Sequence, residues 1–536
     1  MLEPAYKVDV VIVGAGVSGL SAAQRLTSAG LSVCVLEAAP GVGGRMATEK
    51  VDGFRLDRIG QLLSTAYPEL AMTPGLGGLV LRPFAPGVLV HGEGRRVRVT
   101  TPVGARGVRG AEPGGRRGAG GSRGAGGVRG GLGLSQGGVR GVRGLDLGGG
   151  RGVRGFGRAQ DSSWGSETEG GSRAAVVGGA LVGAGGSVVG GARGAFDVVR
   201  ALASAPRTGV GGAEVRYGGP LGSAMDQARL RGALSRLASV PVERLLARAE
   251  SPAGEALTAR GLPGRTVDAF LRPLLAALLC DPELTTSSRC ADLALRSFVA
   301  GRLCVPEGGA DALPELLAST LPTGFVRTGV RVTSVSTTTV ATAEHGEFRC
   351  RAVLLATDAR TAAELLPGLR VPEFHPVTVV HHTTDELPDT GTSLLLDAER
   401  GGPVAHTAVM SEVDPNRAPA GRALISSTVL GTPPDDLDTA VRAHLARLYG
   451  TSTSRWETLA VHHTAEAVPA MRPPHDLRRA VRLLAGLYVC GDHRDTSTVQ
   501  GALHSAHRAA TALIAELGAA GASQPADPPA TVREAA

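Results

Sequence analysis

Residues 8–37 constrain this chain more than any other stretch. VDVVIVGAGVSGL runs from Val8 to Leu20, and an acidic residue follows at Glu37. The apolar run Val8 to Val13 predicts a buried strand, and Gly14, Gly16 and Gly19 stand in G-x-G-x-x-G spacing where a helix must begin. The three glycines do different things. Gly14 permits the tight turn, Gly16 lets a pyrophosphate approach the backbone, and Gly19 lets the helix lie close on the strand. The helix, about Val17 to Ala29, aims its free N–H groups and positive dipole end at that pyrophosphate, and Gly30 stops it. A second strand, Ser32 to Leu36, delivers Glu37, where a carboxylate accepts hydrogen bonds from an adenosine ribose. A 2′-phosphate about 4 Å from that carboxylate would meet roughly 4 kcal/mol of repulsion per unit charge at an effective dielectric near 20, which disfavours an NADP-type ligand.

The adenosine half alone does not separate NAD from FAD, so the next residues matter. GVGGR, Gly41 to Arg45, places the unbulky Gly43 and Gly44 beside an arginine whose fork suits a phosphate oxygen. DGFRLDRIGQ follows, with Asp57, Gly60 and Gln61. Far downstream, LYVCGDHRDTSTVQGALHSAHRAATAL gives an apolar strand Leu487 to Cys490, then Gly491 and Asp492, a polar turn, and a helix from about Val499. Thr496, Ser497 and Thr498 are suited to cap that helix.

With these motifs in this order, the chain resembles the FAD-dependent amine oxidase, protoporphyrinogen oxidase and phytoene desaturase superfamily. The resemblance implies FAD as cofactor, with Arg45 and Asp492 near the pyrophosphate and ribityl chain. It also implies that backbone N–H groups at Val499, Gln500 and Gly501 face the flavin pyrimidine edge, that Gln61 lies in the cofactor site, and that Val332 lies against the adenine. HHTAEAVPAMRPP, His462 to Pro474, resembles the segment that passes the flavin, which puts Pro469, Ala470 and Met471 near the ring. GFVRTGVRVTSV, Gly324 to Val335, reads as paired strands around Gly329, and CRAVLLATDA, Cys350 to Ala359, as a strand returning to the nucleotide domain. Many amine oxidases of the superfamily hold a lysine, through water, near flavin N5, yet Lys7 and Lys50 are the only lysines here. That favours a desaturase- or protoporphyrinogen-oxidase-like enzyme acting on an apolar substrate. Catalytic side chains are not assigned.

Other residue types narrow the function further. The six cysteines, Cys34, Cys280, Cys290, Cys304, Cys350 and Cys490, form no C-x-x-C pair and read as reduced core residues. The doublets His381–His382 and His462–His463 do not read as metal sites, because adjacent strand residues face opposite sides. His504 and His507 share a helical face without a third ligand at useful spacing, and are read as solvated or capping. No metal is expected.

From Gly104 to Gln160, 24 of 57 residues are Gly, and eleven Arg face only Glu112 and Asp146. That segment carries a net +9 against +7 for the whole chain, so the remainder stands at about −2. Its basicity invites a nucleic-acid-binding reading, but Phe156 is its one aromatic for stacking. A low-complexity insertion that buries too little apolar surface to offset chain entropy is preferred. Ala174 to Ala192, nineteen uncharged residues, has the length of a membrane span but consists largely of Gly and Ala, so no integral span is expected. The first apolar run is interrupted by Asp9 and used by the glycine motif, so no signal peptide is read and the cytoplasm is the default.

The expected fold is α/β: a Rossmann-like FAD-binding domain of the glutathione-reductase-like type, interleaved with an α+β substrate domain, plus a Gly/Arg-rich insert. The FAD-binding parts are 1–75, 310–365 and 478–517. The substrate domain takes 76–103, a helical part 219–309 and a sheet 366–477. The insert covers 104–218 and a disordered tail 518–536. The expected function is an FAD-dependent oxidoreductase, an oxidase or a desaturase, removing hydride from a C–H or C–N bond of a small apolar substrate. The electron acceptor, oxygen or a quinone, is left open. Three alternatives stand beside it: an amine oxidase, a non-redox FAD-binding isomerase or carrier, and an RNA-associating protein with a vestigial nucleotide unit.

Overall fold

Strand Tyr6–Val13 lies at the centre of a mixed sheet because its apolar side chains are covered on both faces: Val10, Val11 and Ile12 are fully buried. It pairs in parallel with Val33–Leu36 on one side and Glu347–Leu355 on the other. Val326–Arg327 extends the sheet in parallel beyond Val33–Leu36. Besides Tyr6–Val13, the nine-residue strand Glu347–Leu355 serves two further partners. Its first half pairs antiparallel with Thr339–Thr342, and its last three residues pair in parallel with Leu487–Val489. The computed structural model describes residues 6–100, 219 and 221–521. All of these fall in one compact unit of the chain, Met1–Ala111 with Val215–Ala536.

Helices Val17–Ser28 and Val499–Gly521 pack on one face of this sheet. Leu20, Ala23 and Leu26 of the first and Leu503, Ala506 and Ala510 of the second share its core. The late helix runs on to Gly521, so the expected boundary between 517 and 518 falls inside a helix; its Ala-rich sequence favours continuation. The stretch 324–335 is corrected as well. Val326–Arg327 pairs with Val33–Leu36, whereas Val332–Val335 pairs with Thr339–Thr342, so the two runs join different neighbours instead of each other.

A second, seven-stranded sheet runs in the order Glu457–Pro469, Phe374–Thr384, Ala423–Leu430, Val404–Val409, Leu395–Asp397, Val88–Gly92, Arg95–Val99. All pairs are antiparallel except Val88–Gly92 with Leu395–Asp397, which pair in parallel. A helical layer covers one side: Phe270, Leu274, Leu275 and Leu295 are fully buried there against Leu396 and Leu424 of the sheet. The low-complexity insert and the uncharged stretch from Ala174 lie outside the described residues. Among the described residues no helix is long and apolar enough to cross a membrane.

Candidate active site

The two glycine-rich segments clasp each other at the carboxyl end of the central strand. Gly43 N–H donates to Ala15 O at 2.9 Å, and Gly16 bridges in parallel to Gly43. Gly14 has φ +103°, and a Cβ there would stand 2.9 Å from Ala356 O. A Cβ on Gly19 would stand 2.0 Å from Gly14 O. These two glycines are required by the protein's own packing. Gly16 differs: its backbone is extended (φ −73°, ψ 177°), and an added Cβ would meet no protein atom within 4 Å. The space beside it is open. No side chain caps the helix that starts at Val17, and its first turn contains no acidic residue, so its leading N–H groups are left for a ligand.

That space belongs to a cavity of about 410 Å³. Of the residues expected to hold a cofactor, Gly14, Gly16, Glu37, Gly43, Gly44, Arg45, Gln61, Val332, Gly491, Asp492 and Val499 line it. Glu37 marks one end, where its carboxylate accepts from Ala15 N–H at 2.7 Å and Ala39 N–H at 2.9 Å. Its aim is fixed by the backbone of the glycine loop. Arg45 does not stand free for a phosphate. It donates to Ala467 O at 2.7 Å and pairs with Asp492 at 2.7 Å, fastening the early glycine loop to the late strand and to the second sheet.

The remaining expected residues lie elsewhere. Gly19 sits behind the glycine loop and is absent from the lining. Thr498 caps the late helix by accepting from Gly501 N–H at 3.1 Å, so that N–H is already used. The Gln500 side chain accepts from Glu69 N–H at 3.1 Å and lines a neighbouring cavity, because successive helical residues turn by about 100°; its backbone N–H, the group expected at the cofactor, is not engaged by that contact. Met471 also lines that neighbouring cavity, while Ser497 donates to Pro469 O at 2.5 Å and Ala470 N–H to Glu373 O at 2.7 Å. His504 and His507 are not merely solvated: each presents Nδ1 to a carboxylate, Asp495 at 2.8 Å and Glu69 at 3.1 Å.

The ion-pair network around Asp57 was not legible in the sequence. Asp57 lines the cavity and is held by Arg417 at 2.7 Å, by Thr48 Oγ1 at 2.7 Å and by Ala310 N–H at 2.8 Å. Arg417 is 1% exposed and also meets Asp414, which is fully buried and accepts from Gly308 N–H at 2.6 Å. Burial alone would raise the Asp57 carboxyl; the adjoining guanidinium and the hydrogen bonds reverse this and hold it below its ordinary value. Asp57 stands in the DGFRLDRIGQ motif, but for its partner the only signal in sequence was DPNR at 414–417, which reads as a turn.

The histidine doublets carry no metal arrangement. His381 bonds Ser426 Oγ and Asp57 O, His382 faces Asp438, and His463 bonds Thr378 Oγ1. Among the described residues one three-residue group has ligand atoms within 4.8 Å of one another, His91 with Asp397 and Glu399. His444 and Arg447 already occupy Asp397 Oδ2, which offsets the negative charge a cation would require. All six cysteines are free and buried.

Comparison with known proteins agrees with this geometry. The family described as flavin containing amine oxidoreductase matches residues 199–514, and the NAD(P)-binding Rossmann-like domain matches residues 12–72. A putrescine oxidase of Kocuria rosea is 49% identical over 76 residues, 14% of this chain and 16% of that protein. A chloroplastic/mitochondrial protoporphyrinogen oxidase 2 of Arabidopsis thaliana is 44% identical over 61 residues, 11% and 12% of the two chains. The match thus spans under a fifth of the length of either relative. A solved putrescine oxidase structure with putrescine bound superimposes with a TM-score of 0.57 at 18% identity, covering 96% of this chain and 100% of that one. On the family match, which spans more than half its length, the chain belongs to the flavin-containing amine oxidoreductase family.

Proposed function

We propose that the chain is an enzyme, an FAD-dependent oxidoreductase that takes a hydride from a C–H bond of a small organic substrate, oxidising either a carbon–carbon or a carbon–nitrogen bond. The observation that carries this is the open side of Gly16, set in a cavity that reaches from Glu37 and Val332 to Asp57, Gln61 and Thr498. FAD supplies the chemistry when bound: its ring accepts a hydride and later passes the two electrons to an acceptor. The protein's own residues bind, orient and exclude water. Gly16 and Gly44 admit the pyrophosphate, and the uncapped N–H groups after Gly16 bind it. Glu37 receives the adenosine ribose against Val332. Arg45 and Asp492, paired at 2.7 Å, would hold the ribityl chain, and Val499 N–H, just inside the Thr498 cap, would meet the pyrimidine edge. The nucleotide domain is assigned to the glutathione-reductase-like type, which the hairpin Val332–Val335 with Thr339–Thr342 on its parallel sheet supports.

An apolar C–H substrate is favoured over an amine. Lys50 is exposed on the hairpin strand Thr48–Val51, and neither lysine of the chain lines the cofactor cavity. A lysine-held water beside the flavin is therefore not available. The amine oxidase reading stands second, favoured by the relatives named putrescine oxidase. The acceptor, oxygen or a quinone, is left to experiment. Six free, buried cysteines support a reducing compartment such as the cytoplasm. Anaerobic mixing of the flavin-loaded protein with candidate substrates tests the proposal. Loss of the visible flavin bands on substrate addition supports it, and bands unchanged across both apolar and amine panels count against it.

A further inference from the structure

The late helix has cavities on two sides. Val499 and Ala502 face the cofactor cavity, whereas Gln500, His504 and His507 face a second one of about 370 Å³; Thr498, at the helix start, lines both. Resting on the cofactor reading above, we propose that this second cavity is the substrate chamber, and that it holds an apolar alcohol by its hydroxyl, between Gln500 and His504.

Leu246, Leu279, Leu293, Phe298, Leu303 and Met471 give the chamber an apolar wall. Several of its polar groups are already spent within the protein. Ser64 Oγ donates to Ser297 O at 3.0 Å and accepts from Ala66 N–H at 3.2 Å. Glu69 meets Arg25 at 2.8 Å and His507 Nδ1 at 3.1 Å. Asp495 meets His504 Nδ1 at 2.8 Å, Arg508 at 3.1 Å and Thr496 N–H at 2.9 Å. Charge does not choose the ligand. Arg478 and Glu243 on the lining are both exposed and of opposite sign, and Arg296 donates Nε to Val240 O at 3.2 Å.

The groups left over have opposite senses. Gln500 Oε1 accepts from Glu69 N–H at 3.1 Å, which fixes the amide: its NH2 is the free end, and among the described residues nothing accepts from it. His504 stands one helical turn further on. A neutral imidazole that donates Nδ1–H to Asp495 presents Nε2 as an acceptor. Side chains four apart on a helix have Cβ atoms about 5–6 Å from each other, a span that one oxygen bridges by accepting from the amide and donating to the imidazole. A hydroxyl does both. An ammonium group offers the amide no acceptor, and a carboxylate offers the imidazole no donor. An imidazole carrying a second proton is also met by a hydroxyl, whose oxygen then accepts from both sides, so the alcohol is the one of the three that fits either state. Gln500 and His504 lie two and six residues beyond Thr498, about 3 and 9 Å along the axis. A hydroxyl between them therefore stands away from the junction of the two cavities, as an anchor, and the hydride leaves from a carbon several bonds distant.

The test uses the full chain with its flavin at pH 8.5, about two units above an ordinary imidazole. Octan-1-ol, octylamine, octanoate and 1-methoxyheptane are the probes; calorimetry measures binding, and visible absorbance of the same samples reports flavin content and perturbation. Octan-1-ol should shift the flavin bands and bind about tenfold or more tighter than the amine and the carboxylate, and about fivefold tighter than the ether, which accepts but does not donate. His504→Leu should weaken the alcohol by about fivefold and leave the ether within about twofold, whereas Gln500→Leu should weaken both. Leu293→Trp fills the apolar wall without touching the polar pair, and should abolish binding with flavin content unchanged; it and the probe series decide the case where a polar variant fails to fold. Amine or carboxylate binding as tightly as the alcohol, or alcohol binding unmoved by His504→Leu or by Leu293→Trp, overturns the proposal. Flavin-loaded protein that binds no probe overturns the chamber and keeps the cofactor reading. Protein that takes up no FAD yet binds octan-1-ol through Gln500 and His504 does the reverse, so the two failures are distinguishable.

Discussion

Gly16→Ala separates ligand space from protein space. In most glycine loops such a change confounds the two, but here the backbone at Gly16 is extended and the new Cβ meets nothing within 4 Å. The protein without cofactor should accept it without loss, and should gain about 0.4–1 kcal/mol because alanine restricts the unfolded chain. The cofactor should not accept it. A methyl group at the position the pyrophosphate must approach pushes the phosphates away from the N–H groups of the following helix turn. Loss of two charge-assisted hydrogen bonds at about 1.5–3 kcal/mol each amounts to roughly 3–6 kcal/mol, a weakening of FAD by two to four orders of magnitude. Gly19→Ala provides the contrast. Its Cβ would stand 2.0 Å from Gly14 O, so the helix must retreat from the strand and the protein itself should lose about 1–3 kcal/mol. The assay is paired: thermal unfolding of the flavin-free protein, and FAD titration followed by quenching of flavin fluorescence. Gly16→Ala protein with unchanged FAD affinity would refute the assignment of that open space to the pyrophosphate, whatever its melting temperature.

Other outcomes follow from the same geometry. Glu37→Ala removes the acceptor of Ala15 N–H and Ala39 N–H and should weaken FAD by about 1–3 kcal/mol, read in the same titration; no change would remove the carboxylate from the ribose site. Arg417→Met leaves Asp57 and Asp414 facing each other's buried charge and should cost about 3–5 kcal/mol in urea unfolding, whereas a cost below 1 kcal/mol would mean that the network is relaxed or hydrated. Burial pushes the His406 imidazole down to about 4 from 6.5, and burial, partly opposed by the bond to Asp57 O, does the same for His381. Because the folded values lie below the unfolded ones, the unfolded chain takes up protons first as pH falls. Stability should therefore be lost between about pH 6.5 and 4, by about 3 kcal/mol per histidine. His406→Leu should flatten the urea-unfolding stability measured across that window; an equal slope in both proteins would show that His406 is hydrated.

What could be read from the chain and what could not divide along a physical line. Gly14, Gly16, Gly19 and Glu37 obey local rules, a positive φ, a close approach and a strand end, and those rules leave their mark within thirty residues of sequence. Asp57 and Arg417 are separated by 360 positions, and their meeting depends on how the turn Pro415–Arg417, between two strands of the second sheet, docks on the hairpin that ends at Asp57, which no local pattern encodes. Gln500 shows a subtler limit. The helix start was legible, but which cavity the Gln500 side chain lines depends on the one-residue phase set by the Thr498 cap. Likewise the apolar runs at Val326 and Val332 were visible as strands, yet a strand's partner is chosen by the sheet, and the two runs chose different ones.

The most direct test of the central claim is the visible absorbance spectrum of the purified full chain, taken before and after heat denaturation and centrifugation. The expected result is a two-banded flavin spectrum that moves into the supernatant on heating, at close to one flavin per chain. A folded protein that is colourless and takes up no added FAD would contradict the cofactor assignment.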